Sequence, residues 1–106
     1  MRKLNLQFFA QVIDLTDQLS NAKSSIKIGG KEYEINEGFK TMLEADKVLK
    51  NQNKMSQIDM ITKMFEILFG QREANELIEA NYPIKFYRRI LETALEVIKG
   101  DNNEGK

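Results

Sequence analysis

The chain has no cysteine, no histidine and no tryptophan, and only one proline among its 106 residues. Without cysteine it can form neither a disulfide nor a thiolate nucleophile. Without histidine it lacks the commonest general base and the commonest metal ligand. Any catalysis would have to rely on carboxylates, lysine, tyrosine or serine alone. We therefore predict that the protein is not an enzyme and uses neither a cofactor nor a metal ion.

An excess of one charge and long hydrophobic runs are also missing. Sixteen Lys and Arg residues balance sixteen Asp and Glu residues, so the chain has no overall basic field for nucleic acid. No apolar run approaches the roughly 20 residues of a membrane-spanning helix. Polar Asn5 and Gln7 interrupt the apolar opening, which therefore does not match a secretory signal. We expect a cytoplasmic protein that is neither secreted nor membrane-bound, with one hydrophobic core.

One stretch, residues 24–40, is the only place where the hydrophobic pattern alternates with a period of two. Its apolar residues lie on both sides of Gly29-Gly30, and they are Ile26, Ile28, Tyr33 and Ile35. Two alternating runs across a glycine pair predict a β-hairpin over 25–35, because glycine adopts the positive φ of a primed turn without strain. The side chain of Asn36 is then positioned to cap a following helix.

Apolar residues return at helical spacing after the hairpin and predict four helices, over about 37–50, 56–69, 71–80 and 83–99. Ser56 fits a helix N-cap, Gly70 and Gly100 fit helix ends, and Pro83 fits a first turn. The fold class predicted is mainly α: a small bundle of four to five helices with a short N-terminal β-hairpin. The expected inner face of the first helix consists of Phe39, Met42, Leu43 and Leu49, with Ala45 beside them.

The two ends flank a single predicted helical domain over 24–100. Residues 1–23 form a leader in which Phe8, Val12, Leu15 and Leu19 recur at helical spacing. Two interpretations remain open, a helix over 4–20 or a flexible arm that docks on a neighbouring copy. Residues 101–106 have nothing to bury, so we expect a disordered tail.

Two helices carry candidate residues for binding a partner. Met60 and Phe69 lie off the main apolar stripe of the second helix, and methionine adapts to irregular partners. On the fourth helix, Phe86 flanks the stripe beside Arg88 and Arg89. We expect these five residues to form the partner-binding surface.

The basic start of the fourth helix, Lys85, Arg88 and Arg89, has three interpretations. Arg88 is spaced to pair with Glu92, which would make this an ordinary solvated face. The cations could instead contact nucleic-acid phosphates. They could also meet the glutamates of the third helix, within one copy or between copies. Those glutamates are Glu73, Glu76 and Glu79.

The run from Ile26 to Lys40, IKIGGKEYEINEGFK, resembles the strand pair and phenylalanine-led helix of small tail assembly chaperones. These proteins serve long-tailed bacteriophages of Gram-positive hosts. The resemblance implies a homo-oligomeric, non-enzymatic protein in the host cytoplasm. It also implies two partners: the helical tape measure protein, which the chaperone shields, and tail tube subunits, which it helps to recruit.

Overall fold

The structure, a computed structural model that describes residues 11–19 and 23–100, contains four α-helices preceded by an antiparallel β-hairpin. The strands are β1 (Ser25–Ile28) and β2 (Lys31–Glu34). The helices are α1 (Phe39–Lys50), α2 (Gln57–Phe69), α3 (Gln71–Glu79) and α4 (Ile84–Lys99). The predicted fold class, a small helical bundle with an N-terminal hairpin, is confirmed.

The hairpin forms where the alternating pattern predicted it. Ile26 pairs with Tyr33, and the turn residues Gly29 and Gly30 have φ values of 60° and 85°. Positive φ at both central positions is the geometry of a type I′ turn, whose twist matches that of the strands. Ile28, Tyr33 and Ile35 are buried in the helical core. The hairpin therefore covers one side of the bundle with its apolar face.

Helix α2 lies at the centre of the bundle and packs against the other three helices. Its residues Met64, Phe65 and Leu68 are fully buried. This burial explains why α2 is apolar around most of its circumference, since a helix enclosed on several sides has little polar face. Around it the core is completed by Ala45, Ala74, Leu77, Ile90, Leu91 and Ala94.

Two of the predicted end signals act as expected at α2. The Ser56 hydroxyl accepts a hydrogen bond from the Asp59 amide at 3.0 Å, which satisfies one of the donors left free at a helix start. Gly70, with φ of 91°, separates α2 from α3. Local chemistry therefore sets both ends of the central helix.

The starts of α1 and α4 differ slightly from the prediction. Helix α1 begins at Phe39 and not at residue 37, because the Asn36 amide donates to the Leu68 carbonyl at 2.8 Å and keeps this segment extended. The Asn36 side chain accepts from the Gly38 amide at 3.3 Å and does not cap α1. Pro83 occupies the N-cap position of α4, one residue before the first turn.

The expected inner face of α1 is only partly correct. Ala45 is buried, but Phe39 is 78% exposed and Leu43 is also exposed. An open cleft of about 610 Å³ lies beside the start of α1, lined in part by Gly38, Leu68 and Gly70. In the first turn of α1, Phe39 therefore remains in solvent, whereas Met42 is half-buried and packs against the core.

The described part of the leader, residues 11–19, contains no α-helix. It forms a 3₁₀ turn at Thr16–Gln18, and every residue in it is exposed. The Asp14 carboxylate accepts from the Thr16 amide at 2.9 Å and from its hydroxyl at 2.6 Å. Of the two interpretations of the leader, the helix over 4–20 is not formed within 11–19, because a short helix with no packing partner is marginal in water. Phe8, the rest of that predicted helix and the tail over 101–106 lie outside the described residues.

Candidate partner-binding surface

An open apolar groove of about 290 Å³ lies where the start of α2, the end of α3 and the start of α4 meet. We call it the isoleucine groove, and its apolar and aromatic lining residues are Ile58, Ile61, Ile78, Tyr82, Ile84 and Tyr87. Thr62 and Asn81 also line it. Its volume is near the lower end of the range for ligand-binding clefts, about 300 Å³.

The connection between α3 and α4 shapes this groove. Asn81 takes the left-handed conformation with φ of 58°, which asparagine tolerates better than most residues. The Tyr87 hydroxyl donates to the Leu77 carbonyl at 2.6 Å and accepts from the Tyr82 amide at 3.0 Å. One side chain thus fastens the end of α3 to the turn, so the groove is held open by fixed elements.

The isoleucines of the groove are exposed to an unusual degree for such apolar side chains. Ile58 is 65% exposed, Ile84 is 41% exposed, and Ile78 is similar to Ile84. Phe86 lies at the edge, with its ring 5.0 Å from that of Tyr82 in a T-shaped arrangement. Isoleucine is stiff at χ1, so these groups lose little freedom when a partner covers them. Contiguous exposed apolar surface of this kind is typical of an interaction site.

Three cations at the start of α4, Lys85, Arg88 and Arg89, form what we call the basic rim. Lys85 and Arg89 lie further round the helix than the residues of α4 that line the groove, Ile84 and Tyr87. Arg88 follows Ile84 by one helical turn and therefore lies beside it. Across residues 11–19 and 23–100, none of the four ion pairs involves a residue of the rim. The predicted pair between Arg88 and Glu92 is not formed, because such exposed pairs gain only a few tenths of a kcal/mol. The rim charges are thus available to an acidic partner.

The predicted partner-binding residues fall into different environments. Phe86 and Arg88 lie at the edges of the groove, Arg89 is exposed further round α4, and Met60 is half-buried against the core. Phe69 is only 7% exposed, so its assignment to a partner surface is wrong. It packs edge-on against Phe65, with ring centres 5.5 Å apart, and against Tyr33 at 6.3 Å. The hairpin therefore covers the face of α2 on which Phe69 lies, the face that we had expected to bind a partner.

Sequence reasoning missed the three exposed isoleucines as a group. In the sequence, Ile78 directly follows Leu77 in the apolar pattern of α3, and Ile58 and Ile84 lie in first turns outside the main stripes. One signal in the sequence could have indicated the exposed position of Ile84. Ile84 directly follows Pro83, so it lies at the start of a helix, and the tight turn before this helix brings that start close to α2. Only the meeting of three helices brings these residues together.

On the acidic face of α3, Glu76 forms its ionic and hydrogen-bonding contacts with the hairpin and not with α4. The Lys31 ammonium donates to both carboxylate oxygens of Glu76, at 2.7 and 2.9 Å, and the Tyr33 hydroxyl donates to Glu76 at 3.1 Å. The hydrogen bond from Lys31, supported by that from Tyr33, lowers the pKa of Glu76. Burial, followed by the bond to Glu76, raises the pKa of Tyr33. The expected pairing of these glutamates with the basic rim is therefore not seen for Glu76.

The described side chains offer no cluster for metal chemistry. Within this part of the chain no group of three or more His, Cys, Asp or Glu residues is placed to hold a metal ion. None of its helices is both long and apolar enough to cross a membrane. Comparison of the chain with protein-family models, with curated proteins and with solved structures finds no match.

Proposed function

We propose that the protein is a non-enzymatic, oligomeric binding protein that shields an amphipathic helix of a partner. The observation that carries this proposal is the isoleucine groove, with its exposed, rigid apolar groups, beside Arg88 of the basic rim, which has no ion pair with any residue that the structure describes. An amphipathic helix docks in such grooves through side chains spaced by three or four residues. Acidic residues beside its apolar face would then meet Arg88.

The size of the groove favours an oligomer. Covering the exposed half or so of Ile58, Ile78 and Ile84 is worth about 1 kcal/mol each. That total of about 3 kcal/mol is smaller than the cost of bringing two molecules together, about 4–15 kcal/mol. One groove alone therefore holds a helix weakly. Several grooves on one assembly would hold a long helical partner firmly through their high effective concentration.

A partner of this kind fits the role of a phage tail assembly chaperone. The strand pair and Phe39-led helix over 26–40 resemble that family, and a tape measure protein is a long helical chain. We propose that the protein coats the tape measure protein in the bacterial cytoplasm and helps to recruit tail tube subunits around it. The proposal needs no catalytic group, cofactor or metal.

The test uses a labelled peptide that carries two acidic amphipathic helices in tandem, with binding followed by fluorescence anisotropy. We expect Ile84→Asp to weaken binding at least tenfold, because it places a carboxylate in the groove. Phe39→Asp is the matched control: it removes an exposed apolar side chain from α1, far from the groove lining, and should leave binding unchanged. Circular dichroism verifies that both variants fold. A protein that is monomeric by light scattering and has no affinity for the peptide contradicts the proposal.

The basic rim, which has no ion pair within residues 11–19 and 23–100, also favours a second function, the binding of nucleic acid by a small regulatory protein. Phosphate contacts by Lys85, Arg88 and Arg89 would give an affinity that falls steeply with salt. A gel-shift titration at low ionic strength tests this. Absence of a shift there would rule out the alternative, and a shift that Arg88→Glu abolishes would support it.

A further inference from the structure

Segment 11–19 has an apolar face that nothing in the described chain covers. Val12 is 92% exposed, and Leu15 and Leu19 are also largely exposed. Their spacing of three and then four residues places them on one side of a helix. In the structure this segment forms only a 3₁₀ turn. The segment therefore has the pattern of a helix that still lacks a surface to fold against.

The charges of the segment complement those of the groove. Residues 11–19 contain Asp14 and Asp17 and no lysine or arginine. The basic rim contains three cations that have no ionic partner among the described residues. Hydrogen bonds from the Thr16 side chain and amide lower the pKa of Asp14 and keep it charged. Apolar side chains and acidic groups on the segment thus match the isoleucine groove and its rim.

The path of the chain favours the groove of a second copy. The segment joins the body at Lys23, which lines the same cleft as Gly70 at the end of α2. The isoleucine groove lies at the opposite end of the hairpin, where a Cβ on Gly29 would lie 3.5 Å from the Tyr82 hydroxyl. The six extended residues from Lys23 to Gly29 separate these ends by about 20 Å. The chain from Leu19 to Lys23 spans at most roughly 14 Å, so Leu19 falls short of the groove of its own copy.

We propose that segment 12–19 of one copy folds into a short helix in the isoleucine groove of a second copy, and that a partner helix displaces it. The displacement step rests on the proposed function, whereas the docking of the segment does not. In this arrangement the groove is covered until a partner arrives. The same contact joins the copies into an oligomer.

The absence of cysteine from the chain allows a clean test by disulfide cross-linking. A Leu15→Cys variant is mixed with a Thr62→Cys variant under mild oxidation, since Thr62 lines the groove. The matched control is Lys63→Cys, one residue along α2, which faces the cleft between α1 and α2 instead. We expect the Leu15→Cys chain to cross-link at least tenfold more with Thr62→Cys than with Lys63→Cys.

Three results would overturn the docking: no cross-link, equal cross-linking to both positions, or an intramolecular bond alone. The last is recognised with a Leu15→Cys/Thr62→Cys double variant at high dilution, where a bond within one chain shows that the segment covers its own groove. Circular dichroism of each variant ensures that a missing cross-link does not reflect unfolding.

The tandem-helix peptide separates this inference from the proposed function. In a Leu15→Asp/Leu19→Asp variant we expect peptide binding to tighten several-fold and the oligomer to become smaller, because the segment no longer competes for the groove. Specific cross-linking without any peptide binding leaves the docking intact and removes the chaperone proposal. Peptide binding without specific cross-linking supports the chaperone proposal and rules out the docking of the segment.

Discussion

Two phenylalanines in this protein have opposite environments although both stood out as candidates for partner contact. Phe69 is enclosed by Phe65 and Tyr33 beneath the hairpin. Phe86 lies at the edge of the isoleucine groove and is 38% exposed. Replacing Phe69 should therefore change the stability of the fold, whereas replacing Phe86 should change the binding of a partner.

We predict that Phe69→Ala lowers the free energy of unfolding by about 3–5 kcal/mol, because it opens a cavity in the core. Phe86→Ala should cost less than about 1.5 kcal/mol, since its ring is partly in solvent already. Urea denaturation followed by circular dichroism measures both. Equal losses for the two variants would contradict the assignment of Phe69 to the core. Peptide binding should weaken in Phe86→Ala while its fold is retained.

At the scale of elements, the polar link between the hairpin and α3 joins parts of the chain that are 45 residues apart in sequence. Glu76 accepts from both Lys31 and Tyr33, so it holds β2 against the end of the bundle. The link is half-exposed, and its contribution to stability depends on the charge of the carboxylate.

The pH dependence of this link has a definite sign. Because the folded pKa of Glu76 lies below its unfolded value of 4.5, its contribution is complete above that value and is lost as the pH falls through the folded pKa. We predict that wild-type and Glu76→Gln proteins differ in unfolding free energy at pH 7 and converge at acid pH. Urea titrations across pH 2–7 measure this. Glu79→Gln removes a nearby carboxylate that has no ion pair in the described chain and is the control.

The alkaline side of the same link behaves in the opposite way. The pKa of Lys31 is raised by its bond to Glu76, and that of Tyr33 is raised by burial. A raised folded pKa gives stability that is complete below the ordinary value and is lost as the pH rises through the folded one. The contribution of this link should therefore be constant from about pH 5 to pH 9. A difference between the wild-type and Glu76→Gln proteins that changed steadily across that range would contradict this description.

At the scale of the whole molecule, charge is balanced in number but not in space. The chain has equal numbers of acidic and basic residues, and the hairpin neutralises Glu76 on α3. The basic rim on α4 remains unpaired among the described residues. A neutral molecule can thus present a local positive surface, which under the proposed function would steer an acidic partner towards α4.

We predict that Arg88→Glu/Arg89→Glu weakens binding of the acidic tandem-helix peptide at least tenfold in low salt. The loss should shrink as salt is added, because screening removes the attraction in the wild-type protein and the repulsion in the variant. Lys40→Glu/Lys47→Glu makes the same charge change on α1 and should have little effect. Anisotropy titrations at several salt concentrations provide the measurement. Equal losses in both double variants would show that net charge, and not the rim, governs binding.

The sequence by itself determined the elements of this protein. The alternating pattern around Gly29-Gly30 is sufficient for the hairpin, because the period and the turn chemistry are both local. Helical spacing, the Ser56 cap and the glycine at residue 70 likewise define α2. The predicted starts of α1 and α4 differ from the observed starts by only one or two residues. A backbone hydrogen bond to Leu68 sets the start of α1, and Pro83 at the N-cap position sets the start of α4.

Only the tertiary structure decided which apolar side chains are covered. Phe39 and Phe69 have equal hydrophobicity, yet one lies beside an open cleft and the other lies under the hairpin. The same is true of residues 12–19. Their apolar side chains have helical spacing, but the segment forms no α-helix because it has no surface to pack on. Burial depends on which distant segments meet, and that information is absent from any single window of sequence. The isoleucine groove exists for this reason only where three helix ends converge.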